Sequence, residues 1–394
     1  MLLKNVDIYV YKLDNKGTFD AIGQINKFTS LIWPNKFNGY TTFELNAPVT
    51  QENRTLLKKG NIVWCGGDNA CIIEIIQSDT NEDGQKVYKV KGRTLEVLLT
   101  TRIIWNTYYC VSKYQSTAMY EIVNENCVNP SDSTRKIPFL VCAEDEQLGK
   151  IISFQKTGGE VYSAIENIAN EAGLGFDILF RPREKQLIFK VFEGIDRSVT
   201  DENDTSRLVI FSTDLEDILS SSYYTNDESV KTVALVAGEG EGVNRAQIVS
   251  GNNASSGFER KELYVDAKDL QSEIQRTTVE EDGRETTETV TINQDEYNDM
   301  LNDRGMEKLA EHITSESFEA KMRVIGDVQY VYGVHYDRGD EVVVQDTELG
   351  VQVIAKITEV SENYDDEYEL IITFGYEPPT LIQKVKQKVL SLVR

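Results

Sequence analysis

A calcium-binding loop needs oxygen ligands at alternate positions and a glycine at the sixth, and Asp79, Asn81, Asp83 and Gly84 supply the first half of that pattern. The twelfth position, where a bidentate glutamate belongs, is Val90. The flanking residues alternate instead of recurring at helical spacing, so the stretch reads as an Asp-Gly turn between two strands. Cys65, Cys71, Cys110, Cys127 and Cys142 show no CxxC pairing, and His312 and His335 are the only histidines. That set lacks the ligands of a zinc site, and HExxH does not occur. A Cys–His peptidase would need one of these thiols beside one of these imidazoles, with no local signature to place them so. The cysteines read as free thiols of a reducing compartment.

Gly238, Gly240 and Gly242, interleaved with Glu239 and Glu241, come after the apolar run 232–237 and invite a nucleotide-binding reading. The third glycine of GxGxxG is missing and the glutamates would face any phosphate, so a strand end needing positive φ or a close neighbour fits better. Asp295, Asp299 and Asp303 fall four apart. On a helix they could collect a divalent ion, but a solvated face is the commoner use. A glycosidase needs only two carboxylates, and with 65 Asp plus Glu the composition leaves that chemistry open. No catalytic, cofactor-binding or metal-ligating residue is assigned, and no cofactor is expected.

The chain has 394 residues, enough for about two to four domains with cores of their own. Its 41 Lys plus Arg against 65 Asp plus Glu give a net charge of -24, which argues against a surface that grips nucleic acid. No apolar run approaches the roughly 20 residues of a membrane-spanning helix. Residues 1–13 alternate polar with apolar and lack a signal-peptide core, so synthesis and folding in a cytoplasm are expected.

The elements that must position these residues are mostly short strands separated by polar turns, the pattern of an antiparallel barrel or sandwich. Residues 90–105 organise the first of them. An alternating strand ends at Gly92, which permits a break in direction, and Leu95, Leu98 and Leu99 then recur at helical spacing. Leu95, Val97, Leu98, Leu99, Ile103, Ile104 and Trp105 are expected to close off the preceding sheet as a latch. Residues 106–204 read as a small α+β domain, with an amphipathic helix carrying Val161, Ile165, Ile168, Ala169 and Ala172 and stopping at Gly173. Strands return over 205–250. A Thr- and Glu-rich hairpin at 277–292 and a helix at 293–312, with Tyr297, Leu301, Met306 and Leu309 inward, make an insertion over 251–319. Residues 320–376 read as a second small barrel. After Pro378 and Pro379, residues 380–394 form a basic amphipathic helix with Ile382, Val385, Val389, Leu390 and Val393 on one stripe, expected to dock on a subunit or partner.

The order of these motifs resembles the siphovirus Gp37-like tail hub proteins, relatives of the baseplate hub and of the N-terminal part of tail-associated lysins. The residues that carry the resemblance are Ile32-Trp33 with Phe37, Gly39 and Phe43-Glu44-Leu45; Lys59-Gly60-Asn61-Ile62-Val63; Ile72-Ile73-Glu74; and Lys91-Gly92-Arg93-Thr94-Leu95 with Arg102-Ile103-Ile104. It continues through Gly194-Ile195-Asp196-Arg197, Val209-Ile210-Phe211-Ser212, the Val236–Gly242 glycine run with Arg245, Tyr264 to Leu270, Gly339-Asp340-Glu341-Val342 and Thr373-Phe374-Gly375. The resemblance implies a β-rich α+β multidomain fold with two small antiparallel barrels, 1–105 with 205–250 and 320–376, plus α+β insertions. It further implies a structural, non-enzymatic homotrimer whose two barrels per subunit imitate sixfold symmetry at the tail tip of a virion. The implied partners are a distal tail protein hexamer, a tape measure protein, tip or receptor-binding proteins below, and DNA that passes without specific binding; no membrane insertion is implied. The surplus acid is expected to line the channel. A tail-tip receptor- or glycan-binding protein and a tail-associated wall hydrolase are the alternatives.

Overall fold

The computed structural model describes residues 6–14, 16–80, 84, 86–198, 208–212, 218–242, 245–279, 285–322, 329–346, 351–365 and 367–376. Asn81 and Asp83 of the calcium-like turn, and the basic helix expected over 380–394, lie outside them. The first strands arise from alternation: β1 (Ile8–Leu13), β2 (Phe19–Ile25), β3 (Ser30–Lys36) and β4 (Thr42–Pro48) turn Ile8, Val10, Leu31, Trp33, Phe43 and Leu45 to one side. The helix α1 (Gln51–Leu56) starts at Thr50, whose hydroxyl accepts the Asn53 N–H. Then β5 (Ile62–Trp64), β6 (Ala70–Thr80) and β7 (Lys86–Thr94) add Val63, Cys71, Ile73 and Val90 to the same interior.

The latch differs from expectation in two ways. Gly92 makes no break, because β7 runs on to Thr94. A Cβ at Gly92 would stand 1.8 Å from the Ile72 carbonyl oxygen, beside a register shift between Ile73 and Ile75, so close backbone approach is what demands glycine. The helix after β7 is a 3₁₀ segment, Leu95–Thr101; Leu95, Val97, Leu99 and Ile104 are buried, while Ile103 and Trp105 remain exposed. The Arg135 guanidinium lies 4.8 Å from the Trp105 ring centroid, and this cation–π contact covers one face of the ring without burying it.

The α+β layer comprises β8 (Tyr108–Tyr114), α2 (Gln115–Val123), β9 (Leu140–Cys142), β10 (Ile151–Lys156), α3 (Val161–Ala172), β11 (Gly175–Arg181) and β12 (Gln186–Phe192). As expected, α3 buries Val161, Ile165, Ile168 and Ala169 and stops at Gly173 in the left-handed region, φ 68°. This layer does not have a private core: Leu95, Leu99, Phe19 and Ile62 pack in the same cluster as Phe176 and Phe189.

The rest of the chain supplies β13 (Ile210–Ser212), β14 (Ile218–Asn226), β15 (Val233–Ala237), β16 (Gln247–Gly251), β17 (Glu262–Asp266), β18 (Glu273–Val279), β19 (Glu285–Thr291), α4 (Gln294–Ala310), β20 (Ser315–Met322), β21 (Glu341–Asp346), β22 (Val351–Tyr364) and β23 (Tyr368–Tyr376). The hairpin expected at 277–292 is β18 paired with β19. Among the described residues, the strands expected to return over 205–250 do not pair directly with β1–β7: β13 pairs β21 and β14 pairs β20, which places them in the same long sheet by way of β22, while β15 and β16 form a separate three-stranded sheet with β17. That sheet packs on α4 through Tyr297, Leu301 and Leu309. Met306, expected inward, is exposed, because Gly305 lets the helix approach Ser250 and carries the buried stripe instead.

The two halves of the β structure meet edge to edge, since Glu359–Tyr364 of β22 pair with Leu31–Lys36 of β3. A single 13-stranded ladder results, β14-β20-β23-β22-β3-β4-β7-β6-β5-β1-β2 with β13 and β21 off the path. It does not close into a barrel among the described residues. It carries two apolar interiors, the one built on β1–β7 and a second built on Val209, Phe211, Val342, Val344, Ile357, Ile372 and Phe374. Gly92→Ala is expected to lower stability by about 3 kcal/mol through overpacking against the Ile72 carbonyl. The midpoint of urea denaturation measures it, and an unchanged midpoint would contradict the close-approach account.

Candidate functional site

Several of the residues singled out for chemistry that lie among the described residues make ordinary structural contacts. Asp79 lies on β6, 3.6 Å from Lys89 Nζ, and no group of three His, Cys, Asp or Glu among the described residues could hold a metal ion. His335 Nδ1 accepts the Val331 N–H, and the His312 carbonyl accepts the Lys231 N–H. Burial pushes the Cys127 thiol up to about 12 and the Cys142 thiol up to about 11, and raises those of Cys65, Cys71 and Cys110, so thiolate is scarce at neutral pH. Asp295, Asp299 and Asp303 lie on the exposed face of α4.

The glycine run is a knot and not a phosphate cradle. A Cβ at Gly238 would stand 2.4 Å from Tyr297 Oη. That hydroxyl accepts the Glu239 N–H at 2.9 Å and donates to the Leu270 carbonyl at 2.9 Å. Arg245 donates to the carbonyls of Gly238 and Ala237 and pairs with the Asp266 carboxylate, while Glu239 accepts from the Ser272 N–H and hydroxyl. The strand end needed a close neighbour, as its spacing indicated.

The strongest concentration of buried charge lies where the α+β layer meets both halves of the long sheet. Gly175 to Phe180 of β11 are all buried, and Asp177 sits among them. Arg338 reaches Asp177 with two parallel hydrogen bonds, 2.9 and 2.5 Å, and donates a third to the Lys36 carbonyl at 2.8 Å. Its guanidinium lies 5.5 Å from the Phe192 ring centroid. One turn on, Asp340 accepts from Arg197 Nε at 2.5 Å and from the N–H groups of Ile195 and Asp337. Between them Gly339, at φ +90°, lies so close to Phe37 that a Cβ would come within 2.3 Å of its ring. Four residues, 337–340, thus join the end of β3, strand β11 and the 194–197 segment.

Glu96 completes the junction from the latch, where its carboxylate accepts the Ile178 N–H at 2.8 Å. Burial and the neighbouring Asp177 push the Glu96 carboxyl up to about 7. Burial also raises Asp177, with Arg338 opposing; burial works against the charge on Arg338, and Asp177 more than offsets it. Asp177 thus has the Arg338 guanidinium to hold its charge, whereas the Glu96 carboxylate is met by the Ile178 N–H. Neither Glu96 nor Arg338 was singled out in the sequence. A signal existed for the acids: Glu96 interrupts Leu95 and Val97, and Asp177 interrupts Phe176 and Ile178, positions where a carboxylate must find a partner.

The outer face of the β16-β15-β17 sheet is the second feature. Val249, Leu235 and Tyr264 are cross-strand neighbours and are 46%, 39% and 58% exposed, an apolar row on the side away from α4. Phe258 stands fully exposed at the nearby turn. The geometry thus offers a clamp of buried ion pairs inside the chain and an apolar face on its surface. No helix among the described residues is long and apolar enough to cross a membrane.

Two substitutions test the junction. Asp177→Ala leaves Arg338 buried without its carboxylate and is expected to cost about 3–5 kcal/mol. A raised Glu96 implies stability that is complete below its ordinary value of 4.5 and lost as pH climbs to about 7. Glu96→Gln, which keeps the acceptor for Ile178, is expected to match the parent near pH 4.5 and exceed it by about 2–3 kcal/mol near pH 8. Chemical denaturation across this range checks both.

A family model described as Siphovirus ReqiPepy6 Gp37-like protein matches residues 7–376. No curated protein sequence matches the chain. Among solved structures, the fold is similar to a tail protein from Neisseria meningitidis MC58, with TM-score 0.51 and 14% identity over 95% of this chain and 97% of the other. It is similar also to the 43 kDa tail protein of prophage MuSo2 from Shewanella oneidensis, with TM-score 0.52 and 9% identity over 94% and 98% of the two chains. The family match spans every one of these strands and helices, the junction and the apolar face included. The chain belongs to the siphovirus ReqiPepy6 Gp37-like family.

Proposed function

We propose that the chain is a structural hub of a phage tail tip, a homotrimer whose ring carries the distal tail protein hexamer above and tip proteins below. The observation that carries this reading is the layout of one Gp37-like chain: two sheet units with separate interiors, joined edge to edge by β22 and β3. Three such chains present six sheet units, which is what a threefold collar needs to meet a sixfold ring. In this reading residues 1–105 and 320–376 alternate around the bore as barrel-like units, with the α+β layer of 106–204 and the 251–319 insertion set on them. The protein works by shape and carries no catalysis of its own.

The physical features support the same reading. The Val249–Leu235–Tyr264 row is apolar surface that association with another copy would remove from water. A net charge of -24 suits a bore that DNA traverses, because like charge lowers phosphate binding along the path. The tape measure protein occupies that bore before ejection, and the chain resides in the virion after assembly in the host cytoplasm.

Mass photometry is expected to give three times the 44.6 kDa chain mass. Leu235→Glu is expected to weaken association by about tenfold or more. A monomer at micromolar concentration, or a variant that assembles as the parent does, would contradict the proposal.

A further inference from the structure

A cleft of about 820 Å³ lies between β10, α3 and α4, elements of the α+β layer and of the insertion. Its apolar lining includes Phe154, Ile168, Leu270 and Met300, and at its rim Met306 and Ile313 are 48% and 40% exposed. Its helical walls carry Glu171, Asp303, Glu307 and Glu311. Glu171 of α3 is held above the usual carboxylate range by burial and by Glu307 and Asp303 of α4. Arg304 is already engaged by Asp269 at 3.0 Å and Glu307 at 3.5 Å, leaving Lys150 and Lys156 on the β10 side. Among the described residues, strand β10 pairs on one side only, with β8. From β10, Gln155 is 8% exposed; its Nε2 donates to the Asp269 carbonyl, while its Oε1 has no partner among the described residues. A buried acceptor, an apolar floor and repelling carboxylates together ask for an occupant that is cationic, amphipathic and able to donate.

The chain delivers one to this place. Tyr376, the last residue of β23, pairs with Glu316, just beyond Ile313 on the rim. Its neighbour Gly375 pairs with Lys356, whose ammonium donates at 3.1 Å to the carbonyl of Gly173, immediately after α3. The chain therefore leaves β23 between the C-terminal ends of the two helices that wall the cleft. The sequence beyond Tyr376 carries Lys384, Lys386, Lys388 and Arg394 against the single acid Glu377, with the apolar stripe Ile382, Val385, Val389, Leu390 and Val393.

We propose that residues 380–394 seat in this cleft of their own chain as an amphipathic helix, the apolar stripe on the floor and the lysines toward Glu171, Asp303 and Glu307. Tethering through Pro378 and Pro379 makes the contact intramolecular, so a modest interface suffices. The seated helix ties the α+β layer to the insertion and withdraws both from other partners.

Zero-length carbodiimide cross-linking of the unmodified full chain tests this, with equal amounts of natural-abundance and ¹⁵N-labelled protein unfolded and refolded together beforehand so that copies within any oligomer are shuffled. The expected result is amide links from Lys384, Lys386 or Lys388 to Glu171, Asp303 or Glu307, within chains of one isotopic composition. Met306→Arg, which removes apolar rim and adds like charge, is expected to cut their yield by about tenfold while leaving links elsewhere unchanged. Links of mixed isotopic composition would overturn the proposal in favour of a neighbouring copy. Tail lysines that link only to other carboxylates, or stay unlinked while other lysines react, would overturn it outright.

Discussion

The buried ion pair between Arg338 and Asp177 is the contact on which the arrangement of layers depends. With side chains only 11% and 6% exposed, the two charges have given up most of their hydration and depend on each other for its replacement. Such a pair adds little net stability over apolar residues, but it tolerates very little misplacement. Two parallel bonds to a carboxylate and a third to the Lys36 carbonyl define the loop that bears Arg338 in position and direction. Because Lys36 ends β3 and Asp177 lies in β11, the same side chain aligns the first sheet half, the α+β layer and the second sheet half.

Close backbone approaches extend that constraint. A Cβ at Gly194 would stand 1.7 Å from the Gly339 carbonyl oxygen, and one at Gly175 would enter the space of Phe37 and Phe192. The main chain itself is thus the packing surface where the layers converge, which leaves them little freedom to slide.

Local pattern made much of this legible from residues alone. Period-two alternation located the strands, and the spacing of Val161, Ile165 and Ile168 with Gly173 located α3. The errors came where a distant neighbour decides a residue's role. Gly92 belongs to close approach by β6 and not to a turn; Met306 gives way to Gly305 because Ser250 presses on α4; Trp105 stays exposed with the Arg135 guanidinium over one face of its ring. The β22–β3 pairing and the reach of Arg338 to Lys36 join residues about three hundred positions apart, and no local periodicity encodes such a meeting.

The central claim is that two joined sheet units per subunit occupy equivalent places in a threefold collar. Cryo-electron microscopy of the assembled full chain measures this directly. The account predicts a threefold ring with an open bore, in which the β1–β7 half and the β20–β23 half alternate at six similar radial positions. A ring in which only one half faces the bore, or a particle with any other symmetry, would contradict it.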